Sequence, residues 1–167
     1  MFIEATKIIG LPVAAFDTQS KAGIVSDILI DPDNGNLLGF LINEGILVAK
    51  KVLAISDVKE WDPNGLVTES IENLVGINDV VRIKELIDKK VHLLGMRAKT
   101  ESGKSLGEVE NYLVDSTCQC VTKYYLKDIL GKKRILTADK VIKINKIIVF
   151  SDEISEPPKG AVGAPAA

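Results

Sequence analysis

Apolar and polar residues alternate over short stretches along most of the chain. In residues 24–30, Val25 and Leu29 share one face at the two-residue period of a β-strand, and Ile24, Ile28 and Ile30 share the other. Apolar residues on both faces are typical of a strand that is covered on both sides in a curled sheet. Turn sequences rich in Pro, Asn and Gly follow such stretches, as at residues 31–36 and 62–65. The pattern therefore predicts short strands joined by tight turns.

One of these stretches occurs twice. Residues 22–31 align with residues 106–115, with a spacing of 84 residues between equivalent positions. Four pairs are identical: Gly23/Gly107, Val25/Val109, Leu29/Leu113 and Asp31/Asp115. The context of the two copies also agrees. A Gly, a hydrophobic residue and a polar turn come before each segment, and each segment is followed by a turn and a second strand. An internal repeat of this length predicts two copies of one small fold.

The pattern changes between the two copies. Apolar residues at positions 80, 83, 86 and 87 follow Asn78, a capping residue, and their spacing predicts a short helix. The predicted organisation is a first barrel at residues 1–77, a linking helix at 78–88 and a second barrel at 89–154. Residues 155–167 are rich in Pro, Gly and Ala and are predicted to form a disordered tail.

Composition supports a folded β-protein. Only 5% of the 167 residues are aromatic, so the core must consist mainly of Ile, Leu and Val, and the β-branched members of this set favour strands. The net charge of −2 offers no general attraction to nucleic acid. The chain begins without the pattern of a signal peptide, and no apolar run approaches the roughly 20 residues that span a bilayer. We therefore expect a cytoplasmic protein.

The sequence resembles a known family. Residues 11–13, 23–35, 38–42 and 55–58 look like the opening of a PRC-barrel domain, and the resemblance extends over residues 5–154. It implies a strongly bent barrel of about six strands in each copy. Relatives include the cytoplasmic domain of the photosynthetic reaction centre H subunit and the C-terminal domain of a ribosome-maturation factor. The fold prediction is all-β: two small PRC-barrel-like β-barrels in tandem with a short linking helix.

Three motifs suggest chemistry but fit turns better. Residues 98–105 nearly match a phosphate-binding loop, yet a strand is predicted where that site needs a helix. Cys118 and Cys120 offer two thiols, but a structural zinc site needs four ligands and His92 is the only His. We interpret the pair as a hairpin tip in a reducing cytoplasm. Residues 31–36 lack the acidic twelfth ligand of a calcium loop. We predict no catalytic, cofactor-binding or metal residue, no small-molecule substrate and no enzymatic activity.

Several residues are candidates for contact with a partner. They are Trp61, beside a turn, and a basic, Tyr-containing group in the second copy: Tyr124, Tyr125, Lys132, Lys133 and Arg134. The family resemblance implies a protein-binding or scaffolding module, with a protein partner of unknown identity and self-association as a further expectation. The alternative is an RNA- or ribosome-associated factor that uses this basic face. RNA and a membrane surface are the less favoured partners because the chain is acidic overall.

Overall fold

A computed structural model describes residues 1–89 and 91–154 of the chain. The tail predicted at residues 155–167 lies outside the described residues. In chain order the elements are β1 (Phe2–Glu4), α1 (Ala5–Ile8), β2 (Pro12–Ala15), β3 (Ser20–Ile30), β4 (Leu37–Asn43), β5 (Lys51–Ala54), β6 (Val58–Asp62), β7 (Gly65–Thr68), β8 (Leu74–Gly76), α2 (Val81–Asp88), β9 (Arg97–Thr100), β10 (Ser105–Asp115), β11 (Cys120–Lys127), β12 (Lys133–Thr137), β13 (Val141–Ile144) and β14 (Ile148–Phe150).

The strands form two sheets with the same internal order. The first sheet runs β6-β7-β2-β3-β4-β5-β8, and the second runs β13-β14-β9-β10-β11-β12. In both, one parallel pair occupies the same place: β2 with β7 in the first sheet and β9 with β14 in the second. Strand β8 extends the first sheet only, whereas β1 joins the second by pairing with β10. The prediction of an all-β fold with two barrel-like units in tandem is confirmed.

Short connections force each sheet to curl. Strands β5 and β6 lie at or next to opposite ends of the first sheet, yet only the 3₁₀ turn Ile55–Asp57 separates them in the chain. In the second sheet, β12 and β13 are the two end strands, and the turn Ala138–Lys140 joins them in the same way. Because three residues span only about 10 Å, the two ends of each sheet must come close together. The result is the strongly bent barrel that the resemblance implies.

The aligned segments occupy matching places in the two barrels. Val25 donates its N–H to the Leu11 carbonyl at 2.9 Å, and Val109 donates to the Met96 carbonyl at 2.9 Å. Gly107 has a φ of +96° and lies so close to β11 that a Cβ would clash with the Lys127 carbonyl. A glycine is therefore required there both by the backbone conformation and by the close approach of the neighbouring strand.

Each barrel is contacted by the segment that leads into the other. Asn111, on β10, accepts a hydrogen bond from the Thr6 N–H at 3.2 Å and donates one to the Thr6 hydroxyl at 2.9 Å. Asp27, at the matching position on β3, is hydrogen-bonded to His92 Nδ1 at 2.9 Å. Apolar residues of both barrels form one continuous core cluster. The two units are thus tied together by reciprocal crossings.

Strand β1 forms its backbone hydrogen bonds with the second barrel. The predicted first barrel at residues 1–77 includes this strand, but β1 pairs with Leu113, Val114 and Asp115. On this side of β10, strand β9 occupies only the other end, at Ser105–Glu108. The remaining backbone groups on that side of β10 are available, and β1 uses them. Sequence periodicity alone did not reveal this crossing.

The two β-hairpin tips at residues 31–36 and 115–120 meet at the junction. Leu37 donates its N–H to the Gln119 carbonyl at 2.7 Å, and Val121 donates to the Gly35 carbonyl at 3.0 Å. Asn36 and Cys120 form an antiparallel bridge. In an antiparallel bridge the two strands run in opposite directions, so β4 and β11 leave the junction on opposite sides.

The linking helix packs against the first barrel. Helix α2 corresponds to the helix predicted at residues 78–88 and follows the 3₁₀ turn Ile77–Asp79. Its Ile83 is buried in a second apolar cluster with Leu29, Leu41 and Val52. Arg82 forms an ion pair with the buried carboxylate of Asp31 at the hairpin turn. The helix is thereby held to the barrel by both apolar packing and a charged contact.

Substitution of Gly107 tests the close approach of β10 and β11. We expect Gly107→Ala to lower the free energy of unfolding by about 3 kcal/mol because a Cβ there adds steric overlap to backbone strain. Gly103→Ala is the matched control: its φ is +93°, but nothing lies within 4 Å of an added Cβ. It should cost only about 1 kcal/mol. Urea denaturation measures both, and equal losses for the two variants would contradict the proposed clash.

The His92–Asp27 contact predicts a pH-dependent stability. Its hydrogen bond raises the pKa of His92 above the ordinary value of 6.5. Because the pKa is higher in the folded state, the stabilisation is fully present below the unfolded pKa and is lost as pH rises through the folded pKa. We expect the free energy of unfolding to fall as pH rises above the ordinary value of 6.5. His92→Gln is the control, and an identical pH profile for it in urea titrations would refute the assignment.

Candidate protein-binding surface

The outer face of the first barrel is covered. Leu29, Leu41 and Val52 lie on neighbouring strands of this face, and α2 and the residues before it pack over them. Strand β8 also pairs with β5 along Lys51, Val52 and Leu53, so the edge of the sheet is occupied. Val52 is consequently only 1% exposed. The chain itself thus supplies both a strand and a helix to close this side.

The same face of the second barrel has no such cover among the residues that the structure describes. Its equivalent side chains are Leu113, Tyr125 and Ile135, and Tyr125 pairs directly across the strands with Ile135. Leu113 and Tyr125 are half-buried. Ile135 is 57% exposed, whereas Val52, its equivalent in the first barrel, is enclosed. We call these three residues the second-barrel face. It is an apolar surface for which the first barrel provides the covered counterpart.

The edge of this face is a free strand. Within residues 1–89 and 91–154, β12 pairs only with β11. Asp128 donates its N–H to the Lys132 carbonyl at 3.0 Å, and the register along β12 continues without a shift. In an antiparallel ladder, hydrogen-bonded pairs alternate with non-bonded pairs. The backbone groups of Arg134 and Leu136 therefore bond to β11, and those of Lys133, Ile135 and Thr137 point away from it.

Charged side chains of both signs surround the apolar centre. Lys123 lies opposite Leu113, and Lys127 lies opposite Lys133 at the other end of the face. Glu110 has its carboxylate oxygens 3.9 Å from Lys127 Nζ and 3.4 Å from Lys133 Nζ. Two further acids share this face: Glu108 lies opposite Lys127, and Glu4 lies opposite Leu113. Three lysines and three carboxylates leave the rim with no net charge. A segment with polar residues of both charges would complement it.

Half of the predicted contact residues come together here. Tyr125, Lys133 and Arg134 lie on the paired strands β11 and β12, and Lys132 is exposed in the turn between them. Arg134 Nη1 lies 3.5 Å from the Asp128 carboxylate. Lys133 shares the outer face with Tyr125 and Ile135. Arg134 lies opposite the buried Leu126 and its side chain is only 11% exposed, so it points to the other face and its assignment as a contact residue is corrected.

Tyr124 does not belong to this surface. It is 1% exposed and packs edge-on against Phe150, with ring centroids 5.6 Å apart, and burial raises the pKa of its hydroxyl. Its assignment as a contact residue is corrected, because successive residues of a strand point to opposite faces and Tyr125 takes the outer one. Trp61 lies apart from the group, on β6 of the first barrel, and packs edge-on against Phe40 at 5.4 Å.

Leu113 and Ile135 were not identified from the sequence as contact residues. Leu113 matches Leu29 in the repeat, and this match is the signal that could have placed it on an outer face. Nothing in the sequence, however, indicates that Leu29 is covered and Leu113 is not. That difference depends on where α2 and β8 pack.

The other motifs occupy turns. Residues 98–105 form the hairpin between β9 and β10, in which Thr100 Oγ1 accepts the Lys104 N–H at 3.1 Å. Cys118 and Cys120 form a disulfide with each other, whereas the sequence interpretation expected reduced thiols at this hairpin tip. In the part of the chain with described coordinates, no three His, Cys, Asp or Glu side chains cluster as a metal site would require. No helix there has the length and apolar character needed to cross a bilayer.

Comparison with known proteins agrees with this architecture. The PRC-barrel domain family model matches residues 1–90, just over half of the chain, so the protein belongs to the PRC-barrel family. The match covers the first barrel with its strand β8 and helix α2. The second barrel is related to it by strand order. No curated protein matches the sequence.

Amide exchange tests the free edge of β12. We expect the amide protons of Lys133, Ile135 and Thr137 to exchange at least about tenfold faster than those of Arg134 and Leu136. Residue-resolved NMR in deuterated buffer measures this alternation. The internal control is β5, where Val52 has a paired strand on each side and successive amides should all be protected. Uniform protection along β12 would mean that its outer edge is occupied.

Proposed function

We propose that the protein is a non-enzymatic protein-binding module that captures its partner on the second-barrel face. One observation carries the proposal: two barrels of identical strand order differ in that α2 and β8 cover the first, whereas no described segment covers the same side of the second. An apolar face bordered by an open strand edge is a common arrangement for binding another chain.

The covered barrel indicates what kind of segment fits. There, β8 adds an antiparallel strand to β5, and α2 then lays Ile83 across the apolar face. The partner is expected to add an extended apolar strand to β12, with a following apolar segment against Tyr125 and Ile135. Lysines and glutamates both border this face, so the edges of that segment are expected to be polar and to carry charges of both signs.

An RNA-associated factor is the weaker reading. That hypothesis used Tyr124 and Tyr125 as stacking side chains beside the basic group, but Tyr124 is enclosed in the core. Base stacking requires an accessible ring, and only Tyr125 of the pair lies on the outer face. The apolar Leu113 and Ile135 are better suited to a protein segment.

Two substitutions at one position test capture through the β12 edge. Ile135→Pro removes the outward N–H, and a proline at such an edge position leaves the ladder with β11 intact. Ile135→Thr keeps the N–H and a β-branched side chain. In crosslinking pull-downs from the native cell, we expect a protein recovered by the wild type to be retained by Ile135→Thr at reduced yield and lost by Ile135→Pro.

Two measurements make the result decisive. Melting curves must first show that Ile135→Pro remains folded. The captured protein, once identified, should then protect the amides of Lys133, Ile135 and Thr137 from exchange in the complex. Equal recovery by wild type and Ile135→Pro would exclude the edge, and recovery of RNA in place of protein would favour the alternative.

A further inference from the structure

Two hairpin tips expose aliphatic side chains completely. The first is the turn at residues 44–50, between β4 and β5, where Ile46 is 100% and Leu47 is 98% exposed. The second is the turn at residues 128–132, between β11 and β12, where Ile129 is fully exposed and Leu130 is 89% exposed. The two turns connect equivalent strands but differ in length and sequence. Each barrel therefore presents an Ile-Leu pair at the same place, and we call these turns the apolar tips.

Lysines accompany both apolar tips. Lys50 and Lys51 follow the first pair, and Lys132 and Lys133 follow the second. Each turn also contains one acid, but its charge is already engaged. Glu44 lies 3.2 Å from Lys51 Nζ. Asp128 accepts hydrogen bonds from the backbone N–H groups of Leu130 and Lys132, at 2.9 and 2.8 Å. The exposed Lys50 and Lys132 thus lie beside the aliphatic pairs, and the acid in each turn is already bonded to other groups.

The shape of the apolar tips favours a fluid surface over a protein groove. Each tip is convex, and its two aliphatic side chains expose far less area than the roughly 800 Å² that each partner buries in a stable protein dimer. Aliphatic side chains at a protruding turn, with lysines just behind them, match the boundary of a lipid bilayer, where apolar groups enter the acyl region and cations meet anionic headgroups. A second copy of the chain is the less suitable occupant on this ground.

We propose that the apolar tips dock the protein reversibly on an anionic lipid surface. Ile46 and Leu47, or Ile129 and Leu130, enter the interface, and Lys50 and Lys132 contact the headgroups. Because β4 and β11 leave the junction on opposite sides, the tips are separate contact points, and each contributes to binding on its own. This inference goes beyond the protein-binding function and does not depend on it, since the first tip lies on the other barrel.

Vesicle co-sedimentation tests the proposal. The probes are vesicles of phosphatidylcholine and phosphatidylglycerol in equal parts, with pure phosphatidylcholine vesicles for comparison. We expect the wild type to sediment with the anionic vesicles, and to do so less at high salt. Ile46→Ser with Leu47→Ser, and Ile129→Ser with Leu130→Ser, should each lower the bound fraction. All four substitutions together should lower the partition coefficient at least about tenfold.

A matched variant controls for general loss of surface hydrophobicity. Val81→Ser with Ile142→Ser removes two exposed aliphatic side chains, 73% and 56% exposed, that lie outside the apolar tips. It should bind like the wild type, and melting curves confirm that every variant is folded. Failure of the wild type to bind anionic vesicles would overturn the proposal, as would equal binding by the fourfold variant. Concentration-dependent self-association that the tip substitutions abolish, without vesicle binding, would assign the tips to a second copy.

Discussion

The structure depends on the reciprocal crossing between its two halves. Isolated barrels of this size bury a smaller fraction of their unfolded-chain surface than larger domains do, and they are marginally stable. Here Asp27 holds the segment that enters the second barrel at His92, and Asn111 holds the segment that enters the first at Thr6. The apolar residues of both halves consequently form one core. Strand β1 and the paired hairpin tips add backbone hydrogen bonds to the same junction. A duplicated fold thereby acquires the core of a larger domain.

The segment between the barrels explains why their outer faces differ in exposure although they share a strand order. Helix α2 and strand β8 follow the first barrel in the chain and pack back onto it, which encloses Val52. The second barrel has no corresponding segment among the described residues, and Ile135 is left exposed. One barrel is therefore internally completed, and the other presents a face and an edge that suit a partner. The proposed difference between a covered first barrel and a partner-binding second barrel arises from where a single linker packs.

The apolar tips add a second kind of surface. Their Ile-Leu pairs are convex and lie far along β4 and β11 from the junction, whereas the second-barrel face is a sheet surface with a directional edge. The first suits a fluid apolar boundary that requires no shape complementarity, and the second suits a chain that can continue a β-ladder. A module that holds both would place a protein partner beside a lipid surface.

The amino-acid sequence by itself determined the local structure: the strand period around Val25, the turn at residues 31–36, the helix near Ile83 and the repeat that relates Gly23 to Gly107. These features depend on residues that are close together in the chain, so a short stretch of sequence is enough to predict them. It also brought together Tyr125, Lys132 and Lys133 because they lie in one hairpin. Only the tertiary structure decided that Tyr124 is core, that β1 crosses to the second sheet and that α2 covers one barrel. Those outcomes depend on which surfaces meet over long separations in the chain, and both copies of the repeat have side chains compatible with being covered.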